Sequence, residues 1–379
     1  MNAAGDALVA WNATGRLRYA EKRPGAAWSR SATAPGGGTG AGPVAVAIGG
    51  SRVGALAWTT VATRYVPSKL LVSLRAPGGS FGPATELAPG SGVWTLKLGI
   101  DCDGGVTLLW LNGQAVHTRH LAGQPGPEAC TGQPGTGPWS PDQTLSDAQT
   151  PGGLPDLAVN DAGAALAVWQ QPTAIVAALR PAGSAWGLPE VVSAGTGLPT
   201  WNPKPVLAAD GRAAVGYLDG ESMFVVQTDH TGAWAPPVRV SGTQRVLYPA
   251  LAGNAQGGLL AAWQVLDAAN QGAVWHSVGE GGVWATPVRL SAPGEAAGWP
   301  SAAWSADGSV ALVGWVDDTA LKARVAVGTP TGWTRSTLGG GWWGGTVPVA
   351  AGAGAGLAGW GMPEPGNPNV AKILARAWQ

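Results

Sequence analysis

A tryptophan, or in one case a tyrosine, ends a short apolar run at nearly regular intervals along the chain. The eight positions are Trp11, Trp58, Trp110, Trp169, Tyr217, Trp263, Trp315 and Trp360, with spacings of 47, 52, 59, 48, 46, 52 and 45 residues. A repeat of about 45–50 residues is typical of the four-stranded blades of a β-propeller.

Each repeat contains four short apolar runs, most regularly between Pro155 and Ser193, which we name A to D in chain order. Turn residues separate the runs, and the chain holds 61 Gly and 31 Pro. Runs this short and this interrupted exclude a helical solenoid. The sequence therefore predicts an all-β fold, a β-propeller of four-stranded antiparallel blades.

The two ends of the chain leave the number of blades open. Runs B and C occur eight times but runs A and D seven times, because the first repeat starts at an A–B turn and the last stops at Trp378–Gln379. We predict eight blades with incomplete terminal blades. Seven blades closed by the final A strand, plus a spare hairpin, is the alternative, and a strand supplied by another copy through self-association is a third.

We expect residues 1–379 to form one propeller domain. Its repeat units are approximately 1–40, 41–90, 91–150, 151–197, 198–244, 245–294, 295–340 and 341–379.

Proline assigns the order of strands within a blade. Five D runs carry proline two or three residues after their aromatic residue, at Pro83, Pro141, Pro189, Pro236–Pro237 and Pro287. Because proline cannot donate a backbone hydrogen bond, it is confined to edge strands. D is therefore predicted to be the outer strand of each blade and A the inner one.

The residues that differ between repeats lie in the D–A and B–C loops, which alternating strand direction places on one face. Aromatic residues of the D–A loops are Trp94, Trp201, Tyr248, Trp299, Trp342 and Trp343. We expect them at the mouth of the central channel, where they either plug it or offer stacking platforms for sugars. The tryptophans that recur in every B and D run are instead assigned to the core.

Acidic residues of the B–C loops are the second set of candidates. Asp219, Asp267, Asp317 and Asp318, with Glu221, fall on three consecutive blades. They either form a solvated loop surface or bind the hydroxyl groups of a ligand. A third interpretation of the same residues is a Ca²⁺ site or a pair of glycosidase carboxylates. No other cofactor is predicted.

Composition limits the partners. Charged residues make up 12% of the chain and the net charge is zero, so no basic patch is available for nucleic acid. No run of 18 apolar residues exists, so we predict no membrane insertion, and the N-terminus does not resemble a signal peptide. The predicted partners are carbohydrate or a protein surface.

Cys102 and Cys130 both belong to the third repeat, in its A–B turn and its C–D loop. These connections share a face, so we expect either a disulfide or two free thiols. A disulfide closing a loop of this size would contribute roughly 3–4 kcal/mol and indicate an extracellular, cell-surface or periplasmic location.

No catalytic residues are predicted, because the four histidines lack zinc-ligand spacing and no nucleophile elbow, phosphate loop or dinucleotide fingerprint occurs. The C–D turns Gly183–Trp186, Asp229–Trp234 and Gly281–Trp284 resemble the Asp-box turns of sialidase-type propellers. That resemblance implies the architecture; the sialidase arginine triad and Tyr/Glu pair do not carry over to this sequence.

Three functional hypotheses follow. The first is a non-catalytic secreted or surface module, similar in use to propeller lectins and adhesins, that binds glycans through the aromatic D–A loops. The second is a structural or protein-interaction propeller that assembles through its incomplete terminal blades. The third is a glycan hydrolase or lyase.

Overall fold

The structure is a computed structural model that describes residues 1–13, 15–36, 41–62, 66–90, 92–146, 152–193, 195–229, 231–242, 244–329, 332–340, 346–352, 354–364 and 367–378. Every regular element in these ranges is a β-strand. None of the described residues forms an apolar helix of the length that crosses a bilayer.

The strands form eight sheets that follow one another along the chain, which we number as blades 1 to 8. Blades 1 to 4 are β1 (Ala7–Ala13), β2 (Arg16–Lys22), β3 (Ala32–Thr33); β4 (Ala41–Ile48), β5 (Gly54–Thr60), β6 (Lys69–Arg75), β7 (Thr85–Pro89); β8 (Val93–Ile100), β9 (Val106–Asn112), β10 (Ala115–Leu121), β11 (Gln143–Thr144); and β12 (Gly153–Val159), β13 (Ala165–Gln171), β14 (Ala174–Arg180), β15 (Glu190–Val191).

Blades 5 to 8 are β16 (Thr200–Leu207), β17 (Ala213–Asp219), β18 (Ser222–Gln227), β19 (Val238–Arg239); β20 (Arg245–Gly253), β21 (Leu259–Leu266), β22 (Gly272–Glu280), β23 (Val283–Trp284), β24 (Val288–Arg289); β25 (Ala297–Trp304), β26 (Ala311–Asp317), β27 (Lys322–Thr329), β28 (Gly332–Gly340); and β29 (Val349–Gly352), β30 (Ala355–Glu364), β31 (Asn367–Trp378).

This succession confirms the eight-bladed β-propeller and its short terminal blades. All described strand pairs are antiparallel neighbours in sequence, apart from β24, which pairs with β22 beside β23. The described strands of blade 1 are B, C and D, and those of blade 8 are A, B and C. The chain divides into two compact units, residues 1–171 with 176–190, and residues 172–175 with 191–379.

In blades 2 to 4 and 6 to 8, the recurring tryptophan of strand B packs against the blade before it. Trp169 of blade 4 is 1% exposed and packs against Leu109 and Val116 of blade 3. In the second unit, Trp263 of blade 6 packs in the same way against Leu218 and Val225 of blade 5. A large aromatic side chain buries a large apolar area between two sheets, which explains why an aromatic residue recurs at this position in the repeats.

The turns between strands A and B also connect neighbouring blades. The backbone nitrogen of Cys102 in blade 3 donates to the carbonyl of Asp161 in blade 4 at 3.0 Å, and Ala255 in blade 6 donates to Ala306 in blade 7 at 2.9 Å. Neighbouring blades of each unit are therefore connected both by buried tryptophans and by backbone hydrogen bonds between their A–B turns.

Cys102 and Cys130 form the predicted disulfide, across 28 positions of sequence. The long C–D loop of blade 3 folds back on the A–B turn, and the backbone of Gly132 donates to the carbonyl of Cys102 at 3.2 Å. A side chain at position 132 would meet the Asp103 backbone at 2.2 Å, so this contact requires glycine. The disulfide fixes the loop over the turn.

The D strands begin later than the sequence pattern indicated. In blades 2, 3 and 4 the aromatic residue and the proline after it precede the paired residues, which start at Thr85, Gln143 and Glu190. Blade 7 has no proline there, and its D strand β28 runs without interruption for nine residues. Proline thus limits the length of these edge strands.

Cationic or histidine side chains of the C strands pack against aromatic rings. The Arg180 guanidinium lies 5.6 Å from the ring centre of Trp186, and His276 lies 4.7 Å from Trp333. His276 is 6% exposed, and burial lowers its pKa to about 4. Burial, together with the positive charge of Arg180, lowers the pKa of His120 to about 4 as well.

Replacing Trp169 by alanine is expected to lower the free energy of unfolding by about 3–5 kcal/mol, because it empties the space between blades 3 and 4. Urea unfolding measures this loss. Trp94→Ala is the control, since Trp94 is 73% exposed and its removal should have little effect. Equal losses in the two variants would contradict the joining role of the B-strand aromatic residues.

The buried histidines predict acid sensitivity. The pKa of His276 is about 4 when folded and 6.5 unperturbed, so the unfolded chain takes up a proton first and stability falls as pH drops from 6.5 to 4. The loss assigned to this residue is on the order of 3 kcal/mol at pH 4. His276→Phe should flatten the pH dependence of urea unfolding in part, leaving the share due to His120; an unchanged slope would contradict this assignment.

Candidate functional site

A β-bulge recurs near the start of the A strands. In blades 4 to 7 the register with strand B skips there, for example between Trp201 and Lys204 in blade 5 and between Gly298 and Ser301 in blade 7. The residue at the bulge has a positive φ and is followed by proline. These residues are Leu154 (φ 42°), Asn202 (54°), Tyr248 (48°) and Trp299 (50°).

Such a backbone conformation favours glycine. A left-handed residue with a Cβ costs about 1–2 kcal/mol, and large side chains are uncommon there. The chain nevertheless places Leu154, Tyr248 and Trp299 at these positions. Strained residues of this kind cluster at functional sites, so the bulges mark a candidate site independently of side-chain chemistry.

Two of the bulge residues lie side by side in the second unit. The ring centres of Tyr248 on β20 and Trp299 on β25 are 5.6 Å apart, with the ring planes inclined by 45°. Tyr248 is 40% exposed, whereas Trp299 is partly buried against the apolar cluster between blades 7 and 8. The pair forms a bent aromatic surface with one open ring and one anchored ring.

This surface belongs to a cleft of about 370 Å³ between the A strands of blades 5 to 7, which we call the aromatic cleft. Its described lining is Asn202, Lys204, Tyr248, Pro249, Ala250, Leu251, Trp299, Pro300, Ser301, Ala302 and Thr346. Buried proline and aliphatic side chains form one part, and the polar groups of Asn202, Lys204, Ser301 and Thr346 form the other. The Ser301 hydroxyl donates to the carbonyl of Val347, which holds it in place.

The remaining aromatic candidates lie elsewhere. Trp94 is on β8 of the first unit, and Trp201, which is 44% exposed, does not line the aromatic cleft although it precedes Asn202. Trp342 and Trp343 lie outside the described residues. Trp94, Trp201, Tyr248 and Trp299 all belong to A strands, not to loops as the sequence suggested.

Two of the acidic candidates are buried and used within the protein. Asp219 is 3% exposed and accepts a hydrogen bond from the Thr196 hydroxyl. Asp317 is 2% exposed and accepts from Arg324 Nη2 at 2.8 Å and from the backbone of Ala320 at 3.1 Å. Both carboxylates therefore have partners within the protein at the ends of their B strands.

The other two acids are exposed. Asp267 Oδ1 accepts from the backbone nitrogens of Ala269 and Gln271, each at 2.8 Å, and so closes the turn between β21 and β22. Partial desolvation and the neighbouring Asp317 carboxylate raise the pKa of Asp318. None of the four acids is among the described residues that line the aromatic cleft.

Metal-ligating groups converge at one point in the described part of the chain. Cys102, Cys130 and Asp161 have their donor atoms within 4.8 Å of one another. The disulfide uses both sulfurs, which leaves the Asp161 carboxylate alone. That cluster is therefore not suited to hold an ion.

Sequence reasoning missed Asn202, Lys204 and Ser301. The pattern aligned Trp201 with Trp299, whereas the strand register makes Asn202 the equivalent of Trp299. A usable signal was present: the dipeptides Leu154-Pro155, Asn202-Pro203, Tyr248-Pro249 and Trp299-Pro300 recur at the same place in four repeats.

Tyr248→Gly is expected to leave stability unchanged or to raise it by up to about 1 kcal/mol, because glycine relieves the left-handed backbone of an exposed residue. Leu154→Gly is the matched control, with the same backbone position before proline and 46% exposure. Thermal and urea unfolding compare the two. A loss above 1 kcal/mol for Tyr248→Gly alone would show that the ring is needed for packing.

No protein-family model matches the sequence, and no curated protein matches it. Solved structures are similar in fold. The polysaccharide lyase Uly1 superposes with a TM-score of 0.56 at 12% identity, covering 88% of this chain and 89% of that one. An ulvan lyase of the polysaccharide lyase family PL25 gives 0.52 at 11% identity, covering 85% and 89%. At these identities the similarity establishes the propeller fold alone.

Proposed function

We propose that this protein is a carbohydrate-binding β-propeller that holds a glycan in the aromatic cleft by stacking it on Tyr248 and Trp299. The observation that carries the proposal is the pair of rings, 5.6 Å apart, at two backbone positions that favour glycine. Packing against the cluster between blades 7 and 8 accounts for Trp299 in part, whereas Tyr248 is 40% exposed and its described ring contact is with Trp299.

The chemistry of the cleft matches a sugar. A pyranose ring has an apolar face that stacks on aromatic rings and a rim of hydroxyl groups that need donors and acceptors. Tyr248 and Trp299 supply the apolar surface, and Asn202, Ser301 and Thr346 supply polar groups around it. Small-molecule sites commonly combine apolar walls with a few polar groups in a volume of about 300–1,000 Å³.

Two further observations support this choice of ligand. The similar solved structures with TM-scores above 0.5 include two polysaccharide lyases, so the fold is found in proteins that act on polysaccharides. The disulfide is consistent with an oxidising compartment, where extracellular glycans are met. We therefore propose a location outside the cell, on its surface or in a periplasm.

Binding fits the cleft better than glycoside hydrolysis does. Hydrolysis of a glycosidic bond ordinarily needs two carboxyl groups on either side of it. The described lining of the aromatic cleft contains no carboxyl group, and Asp219 and Asp317 are bound within the protein. Release of unsaturated sugars from a bound polymer, followed by ultraviolet absorbance, would instead assign the site to a lyase.

A glycan array followed by calorimetry tests the proposal. We expect at least one glycan to bind, and Tyr248→Gly and Trp299→Gly each to raise its Kd about tenfold, the value of one lost ring contact. Leu154→Gly, Trp201→Ala and Trp94→Ala should leave Kd unchanged, because their side chains do not line the aromatic cleft.

Two outcomes would contradict the proposal. One is an array without signal for the folded wild-type protein. The other is a glycan that still binds Tyr248→Gly and Trp299→Gly but no longer binds Trp94→Ala or Trp201→Ala. That result would assign the site to the exposed tryptophans.

A further inference from the structure

The aromatic cleft extends across four consecutive blades of the second unit. The A strands β16, β20, β25 and β29 lie beside one another in that order. The described lining begins with Asn202 of blade 5, continues over Tyr248 of blade 6 and Trp299 of blade 7, and ends at Thr346, just before β29 of blade 8. The cleft is therefore a row of residues that runs from blade to blade, across the strands.

We infer that the aromatic cleft binds an internal stretch of a linear polysaccharide, whose successive sugars cross the A strands of blades 5 to 8. A free monosaccharide, or the terminal sugar of a chain, is the alternative ligand for the same cleft. This inference rests on the proposed function and adds the length of the ligand and the part of it that is bound.

The cleft is longer across the blades than along any one strand. On β20 and β25 its lining covers four successive residues, Tyr248–Leu251 and Trp299–Ala302, which span about 10 Å of strand. Across the blades, the two ring centres are 5.6 Å apart and sheets packed face to face lie about 10 Å apart, so the three steps from blade 5 to blade 8 cover roughly 17–30 Å. A sugar ring is similar in size to an aromatic ring, so one sugar cannot span this row.

The lining changes from polar to apolar and back to polar along the row. Asn202 provides an amide on blade 5, the rings of Tyr248 and Trp299 occupy the two middle blades, and Thr346 provides a hydroxyl at blade 8. A sugar stacked on the rings lies between these polar groups, and its neighbours in the same chain carry hydroxyl groups towards them. The order of the lining residues therefore suits several linked sugars better than one.

Ser301 and Thr346 determine what the chain must present at blade 8. The Ser301 hydroxyl donates its proton to the carbonyl of Val347, the residue after Thr346, so its oxygen can only accept a hydrogen bond from a ligand. Thr346 is exposed, and its hydroxyl can both donate and accept. A free sugar hydroxyl suits both residues, so we expect Thr346 to bind the sugar that follows the one stacked on the rings.

The experiment measures Kd by calorimetry for a length series of the glycan that binds in the array. The series comprises the mono-, di-, tri-, tetra- and hexasaccharide, and a hexasaccharide whose two ends are blocked by methyl groups. The whole chain is used as wild type, Tyr248→Gly, Thr346→Val and the control Thr334→Val, each shown to be folded by circular dichroism. Thr334 is also exposed, but it lies on the D strand β28 of blade 7 and does not line the aromatic cleft.

We expect the Kd to fall at least tenfold from the monosaccharide to the tetrasaccharide, and blocked ends to leave the Kd of the hexasaccharide unchanged. Thr346→Val removes one hydroxyl, so it should raise the Kd of the tetrasaccharide about two- to tenfold, the value of one hydrogen bond, and leave that of the monosaccharide unchanged. Tyr248→Gly should weaken binding at every length, and Thr334→Val at none.

Four results would overturn the inference. If the monosaccharide binds as tightly as the tetrasaccharide and Tyr248→Gly weakens both, the proposed function stands and the polymer is wrong. If blocked ends abolish binding, the cleft takes the end of a chain. If Thr346→Val leaves the Kd of the tetrasaccharide unchanged, the chain does not reach blade 8. If no glycan of any length binds the folded wild type, the inference and the proposed function both fail.

Discussion

Burial of one aromatic side chain between neighbouring blades within each unit is the interaction on which this fold depends. Trp58, Trp110, Trp263, Trp315 and Trp360 pack against the preceding sheet in the same way as Trp169. A four-stranded sheet cannot bury its two faces alone, so stability comes from these repeated contacts. The recurring B-strand tryptophans are therefore structural, whereas the side chains of the A strands differ from blade to blade.

The bulges show how a uniform scaffold acquires a distinct site. The backbone of blades 4 to 7 makes the same left-handed bend before proline, and the side chain at the bend changes from leucine to asparagine, tyrosine and tryptophan. The residue at the bend therefore differs between blades while the backbone conformation stays the same. Tyr248 and Trp299 meet because they occupy this position on consecutive blades.

Much of the fold could be predicted from the sequence, because it depends on periodic features. The spacing of the B-strand aromatics predicted the propeller and favoured eight blades over seven, and the prolines from Pro83 to Pro287 identified the outer strands. Placing Cys102 and Cys130 on one face made a disulfide one of two expectations, and the structure contains it. The candidate site was harder to predict, because it depends on strand register, and a shift of one residue separates the exposed Trp201 from Asn202. The burial of Asp219 also could not be predicted, since no pattern in the sequence reveals its partner Thr196.

The most direct test of the account is a crystal structure of the protein with an oligosaccharide derived from a bound polymer. We predict a sugar ring against Tyr248 and Trp299, with φ of both aromatic residues still positive. A sugar bound at Trp94 or Trp201, or an aromatic cleft closed by its own side chains, would contradict it.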